Sequence, residues 1–558
     1  MSCANGKRYE QSRLDSSHGS DAITEAHLLR SDPRQWKRIT LALTLLIIAR
    51  GVFVLCVLPP FEGWDEYQHI AYMVYIKEQR KLPRYGHSTV PKSIKDMVGR
   101  YPHAAYDADH MGPGGWGAKT YSEFWAAEQN DVAKELQPIP LYEGQQMPLY
   151  YVLATPFWTL FSGLSYLTGI YALRLMNVLL LAAAVFVFLR TLQTCIGNAT
   201  HGLFIGLLVA TAPMYLTNAA RISNDALAIL FGSLTLYFTI VALRKKPSRS
   251  LLLASCFLAL GVLSKATMVM MGPVVFTGIV ICAYQRKLIS PVKTVAACGL
   301  IIVALLGPFY YYHYRTAGSF YQMTEVMTSR VQGKSFLWIW SQALNVGWTT
   351  RLREWLFSRE LWCSGWSFLF LPMWLRVIYR FSMYAFWGLV VAGGLKRGWG
   401  KRLPTNHLEY LFSDNKDLIV FGSLVLSVVA GLAWFASLSL ANWGIVAVIP
   451  SYFMIAFPAW TVFIYQSALF LGRRFAFWSV HILLGFYLVS ELLGTLYLMP
   501  TAFTATSWSV QSWTRLIQIH PFFPSPWFIV PSLAIIAGLL VYLLRILWRT
   551  ESTAIAQA

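Results

Sequence analysis

Uninterrupted apolar runs constrain this chain more than any other feature. Residues 39–58 and 475–498 each hold about 20 consecutive, largely apolar residues, enough to cross a hydrocarbon core roughly 30 Å thick. Similar runs recur at 148–167, 171–190, 202–219, 224–243, 251–264, 267–284, 294–314, 376–395, 417–437, 443–466 and 527–547. Only 13% of the 558 residues are charged and 56% are hydrophobic. A soluble domain carries about 25% charged residues, so a soluble enzyme, a disordered chain and a small disulfide-built module are excluded. The expected fold is an all-α polytopic membrane protein with about 12–13 transmembrane helices.

Charge sets the expected orientation. The net charge is +20, and cytoplasmic loops gather Lys and Arg. Basic clusters precede the first run (Arg30, Arg34, Lys37, Arg38) and recur at 244–249, 286–293, 396–416, 473–474 and 545–549. Both termini fall inside if residues 148–167, with Pro148 and Pro156, are re-entrant or interfacial rather than spanning. The expected organisation is a cytoplasmic polar tail (1–38), a first transmembrane helix (39–58), a first outer loop with amphipathic helices (59–147), a transmembrane bundle (148–314), an aromatic-rich second outer loop (315–375), C-terminal transmembrane helices (376–548) and a cytoplasmic tail (549–558). The seven cysteines show no CxxC or Cys/His spacing and read as small core residues. Asn198-Ala199-Thr200 matches a glycosylation sequon but falls on the inside, where it is inert.

Four groups of residues carry candidate chemistry. Asp65 and Glu66 follow the first helix directly. Asp65 reads equally as a helix N-cap or as a general base at a membrane-edge cavity, able to take a proton from an acceptor hydroxyl or amine. Asp65, Glu66 and His69 could alternatively bind a divalent cation. Arg221 and Asp225 flank Asn224 between two apolar runs, either as a simple ion pair or as a functional charge cluster at membrane depth. Lys265 interrupts the apolar stretch 251–284, either snorkelling or facing an anionic phosphate. Arg351 and Arg353, in the aromatic second loop, have guanidinium forks that match phosphate oxygens. Arg50 and Arg174, inside apolar runs, must face the bundle, the interface or a partner. His103, Asp107, Asp109 and His110 have metal-like composition without a specific spacing. There is no nucleotide-binding loop or nucleophile elbow.

In order along the chain, Trp64-Asp65-Glu66-Tyr67-Gln68-His69, Gln146-Met147-Pro148-Leu149-Tyr150-Tyr151, Arg174-Leu175-Met176-Asn177, Ala212-Pro213-Met214 with Asn224-Asp225, and Gly261-Val262-Leu263-Ser264-Lys265 resemble the GT-C superfamily of membrane glycosyltransferases. That superfamily includes the protein O-mannosyltransferases and aminoarabinose transferases. Trp362-Cys363-Ser364-Gly365-Trp366 and Leu371-Pro372-Met373-Trp374 look like an uncharacterised bacterial branch of it. Two departures stand out: Met147-Pro148 where the family often has two prolines, and Asn442-Trp443-Gly444 where that branch usually has an Arg-Tyr pair.

The resemblance implies a polyprenyl-phosphate sugar donor, an inverting transfer at the outer face, and a glycan, lipid or protein acceptor. It implies Asp65 as base and Glu66 as its assistant, orienting the acceptor or binding a cation. Lys265 and Arg221, and after them Arg351 and Arg353, would hold the donor phosphate. Asp225, Asn224, His69, Arg174 and Tyr150 would support them. The expected location is the bacterial inner membrane. Two other readings compete: a transporter or flippase for lipid-linked saccharides, with charges at mid-membrane on broken helices, and a non-catalytic membrane scaffold.

Overall fold

In the computed structural model, residues 33–63, 65–104, 119–126, 138–318, 331, 333–348, 369, 371–398, 415–446, 453–519 and 526–557 are described. Arg351, Arg353, Asp107, Asp109, His110 and Trp64 lie outside them, as do most of the first tail and the second long loop.

The described chain is helical, as a backbone without water partners requires. Its helices are α1 (Pro33–Val57), α2 (Glu66–Gln79), α3 (Tyr121–Ala126), α4 (Leu149–Ser162), α5 (Tyr166–Cys195), α6 (Ala199–Thr211), α7 (Pro213–Ala219), α8 (Asp225–Arg244) and α9 (Pro247–Ser264). They continue with α10 (Gly272–Tyr284), α11 (Pro291–Ala317), α12 (Met373–Gly398), α13 (Lys416–Trp443), α14 (Phe457–Leu471), α15 (Arg473–Leu493), α16 (Met499–Thr504), α17 (Val510–Ile519) and α18 (Pro526–Gln557). Among the described residues, 10 segments are long and apolar enough to span a membrane, and α6 and α14 are shorter apolar helices. The chain is an integral, multi-pass membrane protein.

Breaks in the helices follow from local chemistry. Proline 213 cannot donate to a preceding carbonyl, so the apolar run 202–219 splits into α6 and α7 at Ala212. The run 251–284 breaks at Lys265, whose backbone is extended, and restarts as a tight turn (Ala266–Met271) before α10. α4 has 14 residues with Pro156 inside. At 1.5 Å per residue it is about 21 Å long, shorter than the hydrocarbon core. α15 continues through a five-residue π segment (Gly494–Leu498) into α16.

α1 packs against α5, α6 and α18, and α8 against α5 and α9. A side chain at Gly51 would run into Val178, so a small residue there lets α1 and α5 approach closely. α11 and α18 leave most of their surface exposed, as helices facing lipid do.

Where α6 breaks, the carbonyls of Ala210 and Thr211 lose helical donors. Arg50 supplies them: its guanidinium donates to both carbonyls, to the Thr211 oxygen at 2.9 Å. The same guanidinium holds the Glu491 carboxylate of α15, with contacts of 2.6–3.1 Å. Arg50 thus faces the bundle, and its charge has a partner 441 residues later in the chain.

The C-terminal end of α1, the N-terminus of α8 and the C-terminus of α9 meet at one end of the bundle. α2 packs there on α4.

Candidate functional site

The site is organised around one buried ion pair. Arg174, in the third turn of α5, donates to Glu66 from Nε (2.8 Å to Oε1) and from Nη2 (2.6 Å to Oε2). It also donates to the carbonyls of Leu58 and Pro59, at the exit of α1. Glu66 accepts two more bonds at 3.0 Å, from the backbone N–H groups of Phe61 and Ile222. Glu66 is 0% exposed, and four donors use its acceptor capacity. It holds the α1–α2 loop, α5 and the loop before α8 to one another.

That clamp fixes a strained loop. Phe61 (φ 67°) and Asp65 (φ 55°) both lie in the left-handed region, which is unusual for a bulky residue and costs energy unless the surroundings over-determine it. Asp65 stands at the N-cap position of α2, yet its side chain makes no capping hydrogen bond. It is half-buried. Two residues earlier, a Cβ at Gly63 would come within 2.7 Å of the Cβ of Arg221. Glycine is what allows the loop to lie against Arg221.

Arg221 reaches Asp225 Oδ2 with Nη2 at 2.9 Å, and Lys265 Nζ binds the other oxygen, Oδ1. Asp225 thereby draws the cation before α8 and the cation after α9 together, leaving this three-charge cluster at net +1. Lys265 is 9% exposed, too enclosed for a lysine that simply snorkels to water.

Backbone anchors hold the turn that carries Arg221. Tyr150 donates to Asn177 Oδ1 at 3.0 Å, and Asn177 Nδ2 donates to the carbonyls of Arg221 (2.7 Å) and Ser223 (3.1 Å). Asn224 Nδ2 donates to the carbonyl of Ser264, beside Lys265, at 2.9 Å, and to Gln146 Oε1 at 3.3 Å. Tyr150, Arg174, Asn177 and Asn224 therefore shape the site from behind.

His69 faces the same region from α2. Its Nδ1 lies 2.7 Å from the Tyr151 hydroxyl and 3.7 Å from Glu143 Oε2. Burial, with Arg221 beside it, pulls the imidazole down to about 3, so it is neutral at physiological pH. Burial and the Asp65 charge hold the Glu143 carboxyl well above the usual range, against the opposing pull of Lys265.

The structure thus brings Asp65, Glu66, His69, Tyr150, Arg174, Arg221, Asn224, Asp225 and Lys265 to one end of the bundle. His103 belongs elsewhere: its Nε2 is 2.9 Å from the Val98 carbonyl, and it stacks on Phe61. Glu143 is not singled out from the sequence, and Tyr151 only as the last residue of the Gln146–Tyr151 motif. The available signal for Glu143 is its place just before that motif. The arrangement pairs a carboxylate-bearing loop with a compact cationic cluster. The residues do not fit the cation considered for Asp65, Glu66 and His69, because Glu66 is taken up by its four donors. Among the described residues no group of three or more His, Cys, Asp or Glu is placed to hold a metal.

No curated protein sequence matches this chain. Three solved structures resemble it weakly. The crystal structure of ArnT from Cupriavidus metallidurans bound to undecaprenyl phosphate is 12% identical, with 91% of this chain and 78% of that one covered and a TM-score of 0.42. The Archaeoglobus fulgidus oligosaccharyltransferase complexed with Zn and sulfate is 14% identical, covering 86% and 56%, with a TM-score of 0.33. The archaeal oligosaccharyltransferase AglB from Archaeoglobus fulgidus, in complex with an inhibitory peptide and a dolichol-phosphate, is 13% identical, covering 84% and 56%, with a TM-score of 0.35. This chain spans just over half the length of the two archaeal structures. Residues 149–312 match the family model for dolichyl-phosphate-mannose-protein mannosyltransferase. That match takes in Arg174, Arg221, Asp225 and Lys265, so this stretch of the chain is similar to those mannosyltransferases.

Proposed function

We propose that this protein moves a sugar from a polyprenyl-phosphate donor to a hydroxyl or amine acceptor at the outer face of the bacterial inner membrane, with inversion at the anomeric carbon. A lipid-linked donor is reached from within the bilayer, so a site at one end of the helix bundle suits it. The cluster of Arg221 and Lys265 around Asp225, inside the family match, carries this reading.

In this reading Arg221 and Lys265 bind the donor phosphate and stabilise the charge it gains on leaving. Asp225 keeps the two cations at a fixed separation. Arg351 and Arg353, outside the described residues, are further candidates for the same phosphate. Asp65 takes the acceptor proton as the acceptor atom bonds to the anomeric carbon. The bond from that carbon to the phosphate oxygen breaks, and its electron pair leaves with the phosphate. The half-buried Asp65, on the loop that lies against Arg221, supports its role as base. Glu66 assists by holding the loop that presents Asp65.

The experiment is transfer by the purified protein from polyprenyl-phosphate sugars. Asp65→Asn is expected to lower the rate by at least 100-fold, the order of a general-base contribution (about 10²–10⁴), with folding unchanged. Full activity in that variant removes Asp65 as base, and no transfer by the wild type from any such donor removes the whole reading. A transporter reading would draw on the buried Arg50–Glu491 pair at the α6–α7 break. There the guanidinium is committed to two carbonyls and a carboxylate, the pattern of a fixed joint.

A further inference from the structure

Glu143, in the tight turn Tyr142–Gln145 ahead of α4, is a buried carboxyl to which the mechanism above gives no part. Its Oε2 lies 3.3 Å from the Tyr151 hydroxyl and 3.7 Å from His69 Nδ1, while that hydroxyl and Nδ1 are 2.7 Å apart. Three titratable groups from α2, α4 and the turn between them close a triangle away from water. Further charges face it: Asp65 at the start of α2, Asp225 at the start of α8, and Lys265 after α9, with Arg221 acting most strongly on His69.

Such a triangle has three satisfied states. In one, an ionised glutamate faces an imidazolium. In the second, an ionised glutamate accepts from Tyr151, whose oxygen accepts from the Nδ1–H of a neutral imidazole, and the carboxylate charge stands uncompensated in a buried site beside Asp65. In the third, a neutral carboxylic acid faces a neutral imidazole. Burial penalises the doubly charged state. Arg221 disfavours a cation on His69, and Asp65 disfavours a second anion at Glu143. In the neutral state the Glu143 O–H donates to the Tyr151 oxygen, and the Tyr151 O–H donates to Nδ1. The hydrogen bonds then run in one direction, and the imidazole needs no positive charge.

We propose that Glu143 is a proton-holding positioning residue: as a neutral acid it braces Tyr151 and His69, and it leaves Asp65 as the ionised carboxylate of the pair. The site then holds one negative charge where an acceptor proton is to be taken, and α2, which Asp65 precedes and whose first turn carries His69, is tied to α4. The role assigned to Asp65 rests on the glycosyl-transfer reading; the protonation of Glu143 does not.

The test separates the two. Infrared difference spectra of the purified full-length protein, recorded from mildly acidic to alkaline pH without any donor, report the protonated-carboxyl C=O stretch. The wild type is expected to keep such a band at pH 7, well above the ordinary glutamate value of about 4.3, and Glu143→Gln is expected to lack it. Identical spectra for the two proteins at pH 7 overturn the proposal.

Thermal melting is a second measurement. A carboxyl whose folded value is raised binds its proton more tightly in the folded state, so its stabilising effect is present at low pH. That effect is lost as pH rises from the unfolded value through the folded one. The wild-type melting temperature should fall relative to Glu143→Gln across that window, and parallel curves overturn the proposal. If transfer is measurable, Glu143→Gln, an isostere of the neutral acid, should keep activity at pH 7 and lose the alkaline decline of the wild type. An unchanged alkaline limb counts against the proposal. Absence of transfer in the wild type counts only against the glycosyl-transfer reading.

Discussion

Two adjacent carboxylates in this chain sit in opposite surroundings. Glu66 has its acceptor capacity filled by Arg174 and two backbone N–H groups, while Asp65 stands at the head of α2 without capping it. Glu66→Gln leaves the buried Arg174 without its counter-charge. Breaking a buried pair costs about 3–5 kcal/mol, so the melting temperature in detergent should drop clearly. Asp65→Asn should melt within experimental error of the wild type; an equal drop in both would erase the distinction. From sequence, the resemblance assigned Asp65 as base and Glu66 as its assistant, but the ion pair that engages Glu66 was not legible, because Arg174 lies 108 residues away. Lys265 and Arg221 were legible as isolated charges in apolar surroundings. That both reach for Asp225 is a fact of packing, and Glu143 carried no spacing signal of its own.

One helix break was easier to read than the braces between elements. Lys265 interrupts its apolar stretch and the chain breaks there, whereas the run 202–219 reads as continuous and breaks at Pro213. The short helix α3 gave no such cue, yet it reaches from the first loop to the last helices. Tyr121 donates to Glu62 Oε2 at 3.0 Å in the α1–α2 loop, and its ring lies 5.2 Å from that of Phe503 in α16. Trp125 Nε1 donates to the Phe503 carbonyl at 3.0 Å, and the Arg515 guanidinium of α17 stands 5.2 Å from the Trp125 ring. α3 thereby ties the Asp65 loop to the C-terminal third of the molecule. A cation–π contact at a half-exposed site contributes about 0.5–1 kcal/mol, and the lost hydrogen bond about as much again. Trp125→Ala should therefore leave the bundle folded but make the first loop cleave faster in limited proteolysis. An unchanged cleavage rate would mean that α3 docks without bracing.

For the molecule as a whole, composition alone announced a polytopic helical bundle, because 56% apolar residues leave too few charges to clothe a soluble surface. What composition could not convey is how the two ends of the chain are joined. The Arg50–Glu491 pair ties α1 to α15 and closes the gap where α6 breaks. Glu491→Gln should lower stability by a few kcal/mol, the cost of an orphaned buried charge. Replacing both partners by apolar residues of similar volume should recover much of that loss, since buried pairs are often matched by well-packed hydrophobic ones. Thermal melting of the single and double variants checks this, and a double variant no better than the single would show that the carbonyl contacts of Arg50 dominate.

This pairing has a consequence for how the protein is made. Arg50 enters the bilayer early in translation, whereas Glu491 is synthesised 441 residues later. At 5–20 residues per second, that interval is roughly 20–90 s. Over the first part of it a guanidinium within an apolar helix has neither the carbonyls of the α6 break nor its carboxylate. The nascent chain must shelter that charge in the insertion machinery, or let it ride near the lipid headgroups, until its last partner arrives.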